Sequence, residues 1–187
     1  MTSILSSMLT SAGLGLGAGV NAYATFLVFG GLARLYPSFF EGDVAKFFAT
    51  TPVLIAMGVF YTIEFFADKI PAIDHAWDLL HTFIRPVAGA VVAFAAVSDA
   101  IPQPAVIIAS AIGGSAALGA HAAKVTLRAG STLTTAGTAN PFISIVEDLF
   151  VFVNSLIAIF IPYLVILSLL LLVLLSLFLY RRFRPAS

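Results

Sequence analysis

Cysteine is absent from the 187 residues, which excludes disulfides, a thiolate nucleophile and iron–sulfur ligation. Charge is scarce too. Nine Lys and Arg stand against nine Asp and Glu, so 10% of the chain is charged, where ordinary globular proteins carry about 25%. The two signs cancel, and without a basic surplus a nucleic-acid partner is excluded. No P-loop, His-Glu-x-x-His pair or Ser/His/Asp order is present. The alternating Gly13, Gly15, Gly17 and Gly19 do not match the G-x-G-x-x-G fingerprint and follow no strand, which rejects a dinucleotide site.

What fills the chain is apolar: 60% of residues are hydrophobic and the mean hydropathy is +1.07. These values define an all-α integral membrane protein whose first partner is the lipid bilayer. The length suits one membrane domain over 1–187. A span needs about 20 apolar residues, which places six near 8–33, 51–67, 86–101, 104–123, 142–160 and 162–180. The N-terminus lacks the positive region of a secretory signal and reads as the start of a retained first span. Span 6 ends in Arg-Arg-Phe-Arg, so the positive-inside rule puts the C-terminus in the cytoplasm. Counting back six spans puts the N-terminus there too, with Lys69, Arg85, Lys124 and Arg128. Only Arg34 and Lys46 remain outside.

Residues 64–86, EFFADKIPAIDHAWDLLHTFIRP, concentrate the chemistry. They hold six of the eighteen charged residues, Glu64, Asp68, Asp74 and Asp78 with Lys69 and Arg85, and two of the three histidines. A charge at the centre of a membrane helix costs about 2.5–3.5 kcal/mol, so such a cluster requires water, partners or an ion. If Pro71 opens a helix, Asp74, Asp78, His81 and Arg85 fall within roughly 60° of one another. Ile73, Ala76, Trp77, Leu80, Phe83 and Ile84 cover the other side. Pro86 disfavours α geometry at Arg85, which predicts a short amphipathic helix between spans 2 and 3, ending there. Glu64 and Asp68 lie one turn apart at the end of span 2.

Other helices carry further candidates. The glycines of span 1 permit close helix packing, or mark an unwound stretch near Asn21 that exposes carbonyls to a substrate or ion. His121, Lys124 and Arg128 share one face at the end of span 4, a face that either opposes the acidic segment or is an ordinary positive helix end. Residues 130–140 are too polar to face lipid. Asn140 and Pro141 suit the start of span 5, where Glu147 and Asp148 also complement the helix dipole. LGAGVNAYAT (16–25) is echoed weakly by LGAHAAKVT (118–126). Three spans plus three with opposite entry give a 3+3 inverted repeat with halves 1–101 and 104–187, a plan that puts a transporter site between halves. The same small-residue faces suit a homo-oligomer.

GLGLGAGVNAY near the start, followed by EFFADKIPAIDHAWDLLHTFIRPVAGA, resembles a family of bacterial membrane proteins catalogued as domain of unknown function 4126. The likeness covers nearly the whole chain and is most specific over residues 64–90. It implies a membrane domain of this size in the bacterial inner membrane and lends no activity to any residue.

Three functions compete. Transport or permeation of a small solute or cation would use Glu64, Asp68, Asp74, Asp78 and His81 as a polar site able to take a proton or a divalent cation. Arg85 would balance that site when empty, and Asn21 and Glu147 would join it from other helices. An anionic substrate would use His121, Lys124 and Arg128 instead. A Mg²⁺-dependent lipid head-group transferase would use the spaced carboxylates, but the residues between them do not fit the phosphatidyl or prenyl transferase patterns. A non-catalytic scaffold would present an acidic helix to a partner protein.

Overall fold

The computed structural model describes residues 3–183, apart from the side chains of residues 71, 72, 74, 75, 179, 180, 182 and 183. Those residues form α1 (Ile4–Val20), α2 (Ala22–Leu35), α3 (Asp43–Phe48), α4 (Thr51–Ala67), α5 (Pro71–Val97), α6 (Gln103–Thr135), α7 (Asn140–Phe160) and α8 (Val165–Phe183), with no strand among them. The stretches Ala76–Val97, Gln103–Thr135 and Asn140–Phe160 are long and apolar enough to cross a membrane. Ile4–Val20, Ala22–Leu35, Thr51–Ala67 and Pro162–Phe178 are shorter apolar helices.

Small residues make α1 the centre of the bundle. Every residue from Ser11 to Val20 is buried, and α1 packs on α5, α6, α7 and α8. A Cβ at Gly15 would collide with the backbone of Gly113, and one at Gly19 with the backbone of Ala117, so α1 and α6 touch main chain to main chain. Large apolar side chains point the other way. Val59 and Ile63 of α4, Leu79 and Phe83 of α5, Leu149 of α7, and Leu167 and Leu171 of α8 are all exposed. Small and polar groups inside, large apolar groups outside, is the distribution a bilayer favours.

The expected first span over 8–33 is in fact two helices. The chain breaks at Asn21, an extended residue (φ −149°, ψ 104°) whose side-chain oxygen accepts from Ala24 N and whose own N–H bonds Gly17 O, closing α1 and opening α2. α2 then turns back along α1. Thr10 donates to Ala158 O, Asn21 donates to Asp148, and Tyr36 at the end of α2 lies against Phe160. The pair is a hairpin with its apex at Asn21.

The short amphipathic helix between spans 2 and 3 is also corrected. α5 runs unbroken for 27 residues through Pro86. The proline removes one backbone hydrogen bond, but Arg85 is held by partners on three other helices, and the backbone of Pro86 packs on Gly114. Tertiary contacts override the local preference. The expected third span over 86–101 is the second half of this helix, which ends at Val97.

The inverted relation between spans 1 and 4 does not hold either. Met8 packs on the Val106 cluster, Gly15 on Gly113, Gly19 on Ala117, and Lys124 reaches Val20 O, so α1 and α6 run in the same direction. The segments taken as two halves meet most closely of all, α5 against α6. With α1 and α2 counted separately, Ser3 touches Tyr163 at one end of the bundle. α8 descends from there past Leu172, beside Gly119, to Leu175 near Lys124. Ser3 and the end of α8 therefore lie at opposite ends of the bundle.

Candidate functional site

The hairpin apex creates the demand that the site answers. A helix that ends inside a bundle leaves carbonyls without partners and a negative dipole end. Two cations meet them: Arg85 Nη1 donates to Gly19 O at 3.2 Å, and Lys124 Nζ donates to Val20 O at 3.1 Å. Both side chains are buried, and each brings carboxylates with it.

Around Arg85, Nη2 donates to Glu64 Oε1 at 2.7 Å, and Nη1 lies 3.3 Å from Asp78 Oδ1. Nη1 also donates to His121 Nδ1 at 2.6 Å. Because arginine only donates, His121 Nδ1 is the acceptor; Nε2 then carries the proton and faces Thr82 Oγ1 at 3.0 Å, and Thr82 in turn donates to Asp78 O. His81 is wholly buried, with Nδ1 donating to Trp77 O at 2.8 Å and its ring edge against Tyr23. In the neutral ring its Nε2 is then an acceptor, and it has no hydrogen-bond partner. Glu64 Oε2 has none either, nor does Asp78 Oδ1 have a true hydrogen bond.

The second group forms around Asp68 at the end of α4. Lys124 Nζ and Arg128 Nη2 donate to its Oδ2 at 3.0 and 2.9 Å, and Arg128 also grips Glu147 through Nε and Nη2. Burial pushes the Asp68 carboxyl upward, but Lys124 and Arg128 outweigh it and hold the group below the usual carboxylate value. Beside it, Lys69 donates to Phe65 O and sits over the Phe65 ring, 3.2 Å from its centre. Partial burial lowers its pKa. Asp148 completes the set, accepting from Asn21 Nδ2 at 3.1 Å.

Of the expected site residues, the fold gathers Glu64, Asp78, His81 and Arg85 in the first group and Asp68 and Glu147 in the second, with Asn21 at the apex between them. The side chain of Asp74 lies outside the described residues. The residues named as a metal set divide between the two groups, and among the described residues no group of three or more His, Asp or Glu side chains is placed to hold a metal ion. The basic face of His121, Lys124 and Arg128 does oppose the acidic segment. Asp148 joins the site beyond the expected residues; like Glu147 it lies near a helix N-terminus, where the dipole alone accounts for an acid. Its position one residue after Glu147 was the signal available.

Fold and site together define an all-helical bundle, with helices fit to cross a membrane, built around a buried charge network. The model of the family described as Domain of unknown function (DUF4126) matches residues 8–182, and the chain belongs to that family. No curated protein and no solved structure matches it.

Proposed function

We propose that the protein is a membrane transporter or channel for a small solute or cation, with its site at the apex of the α1–α2 hairpin. The charge balance carries this reading. Glu64, Asp68, Asp78, Glu147 and Asp148 face Arg85, Lys124, Arg128 and Lys69. With both histidines neutral, these described side chains leave one negative charge over inside an apolar bundle. Both groups keep unpartnered acceptors, Asp68 Oδ1 and Asp148 Oδ2 in one and Glu64 Oε2 and His81 Nε2 in the other, but only the latter has the surplus, Glu64 and Asp78 around one arginine. A proton or another monovalent cation would supply both the missing charge and the missing donor.

A purely structural network would close its charges, which is why transport is preferred to the scaffold reading. A broken helix whose ends meet ionic groups also fits a transport site. Lys69, Arg85, Lys124, Arg128 and Arg181 lie towards the same end of the bundle, with Arg34 and Lys46 towards the other. The positive-inside rule then makes the network end cytoplasmic and leaves the N-terminus on the far side. The test is uptake into liposomes holding the purified chain, assayed over a panel of monovalent cations and protons. The wild type should take up one of them, and Asp78→Asn should abolish that uptake. Equal uptake by both would overturn the assignment.

A further inference from the structure

The seam between α1 and α7 contains polar groups that the charge network does not use. α7 is strongly apolar from Leu149 to Phe160, yet Asn154 and Ser155 interrupt it side by side. A hydroxyl in such a helix ordinarily bonds its own backbone four residues back, as Thr62, Ser110 and Thr126 do here. Ser155 does not. It is 0% exposed, and its Oγ has no hydrogen-bond partner in the protein. Asn154, 1% exposed, donates to Gly13 O at 2.7 Å and leaves its Oδ1 unpartnered. Asp148 accepts from Asn21 through Oδ1 and leaves Oδ2 unpartnered.

These groups are arranged in order along one line. Asp148 and Asn21 stand at the network end. Two turns further along α7, about 10 Å away, Ser155 and Thr25 both face the bare Cα of Gly17, where an added Cβ would lie 2.8 Å from Thr25 Oγ1 and 3.2 Å from Ser155 Oγ. Asn154, one residue before Ser155 and bonded to Gly13 O, stands at about the same level; Thr10 at Ala158 O follows, and Tyr163 at Ser3 closes the far end. Polar atoms thus recur along the seam from one end of the bundle to the other. Buried polar atoms that lack protein partners are where ordered water bonds. A hydroxyl that both donates and accepts can pass a hydrogen bond along in either direction.

We propose that the α1–α7 seam holds a file of water that conducts protons between Tyr163 and Asp148. This rests on the transport reading and names its route and its ion. A proton entering at Tyr163 is relayed by exchange of hydrogen bonds from water to water, the waters being held by the hydroxyls of Thr10 and Ser155 and the amide oxygen of Asn154. One proton leaves the file onto the Asp148 carboxylate, which then releases it on the network side. One enters for each one released, and no other reactant is needed.

The test uses the purified chain in phosphatidylethanolamine–phosphatidylglycerol liposomes containing a pH-sensitive dye, with a potassium gradient and valinomycin setting an inside-negative potential. Wild type should acidify the lumen well above empty liposomes. Ser155→Val and Asn154→Leu, which put apolar groups in the file, should each slow acidification by about tenfold or more, whereas Leu167→Ala on the exposed face of α8 should match wild type. A wild-type rate equal to that of empty liposomes would overturn the proposal without reference to any variant. So would an unchanged rate in folded Ser155→Val. Cation uptake that vanishes in Asp78→Asn while Ser155→Val conducts normally would refute the file alone, and no flux of any kind in wild type would end both readings.

Discussion

Neutralising Arg85 would strand four groups at once: Glu64 Oε1, Asp78 Oδ1, His121 Nδ1 and the Gly19 carbonyl. The pair is not a large net source of stability, because taking both ions out of water costs nearly what their attraction returns. Breaking it is another matter. Arg85→Gln should lower unfolding stability by about 3–5 kcal/mol, and adding Glu64→Gln should recover at least about 1 kcal/mol of that, since the two sites are coupled. Denaturant titration in detergent checks this, and strictly additive losses would mean the two side chains do not share one interaction. At this scale the sequence was informative on one side of the network. Glu64, Asp78, His81 and Arg85 stand out because charge is rare in an apolar chain, and helical spacing puts the last three on one face. Which cation meets which acid was not legible. Lys124 is 56 residues from Asp68, and Arg128 is 60; no local pattern encodes those pairings.

Among the helices, the glycines of α1 do two jobs that hydropathy cannot separate. Gly15 and Gly19 bring α6 within backbone contact, while Gly17 lets α2 fold back at Asn21. Gly15→Ala should therefore force α1 from α6 and cost about 1–3 kcal/mol. Gly31, with nothing within 4 Å of its Cβ position, provides the contrast: Gly31→Ala should be neutral or stabilise by up to about 1 kcal/mol. Thermal melting of both variants decides the matter, and equal effects would deny that α1 is packed main chain to main chain. A hydropathy window over 8–33 reads one continuous span, because the single polar residue that divides it, Asn21, barely alters the average. Pro86 misled in the opposite sense. Its local preference ends a helix, but the contacts of Arg85 and Gly114 carry α5 through.

For the molecule as a whole, composition was enough for an all-helical protein with helices fit for a bilayer, and residues 64–86 were enough to find one side of the buried charge network. The relation between the ends of the chain was not. It depends on whether α1 and α2 count as one passage or two, and the parallel course of α1 and α6 depends on contacts some 100 residues apart. The central claim is that the described side chains around Arg85, Glu64 and Asp78 among them, carry one uncompensated negative charge, and that a mobile cation answers it. The most direct measurement is the charge displaced when membranes containing the protein, adsorbed on an electrode, meet a step in proton or cation concentration. Wild type should give a saturable displacement that Asp78→Asn abolishes and that Asp99→Asn, at the opposite end of α5, leaves intact. No displacement in wild type, or the same displacement in Asp78→Asn, would contradict the account.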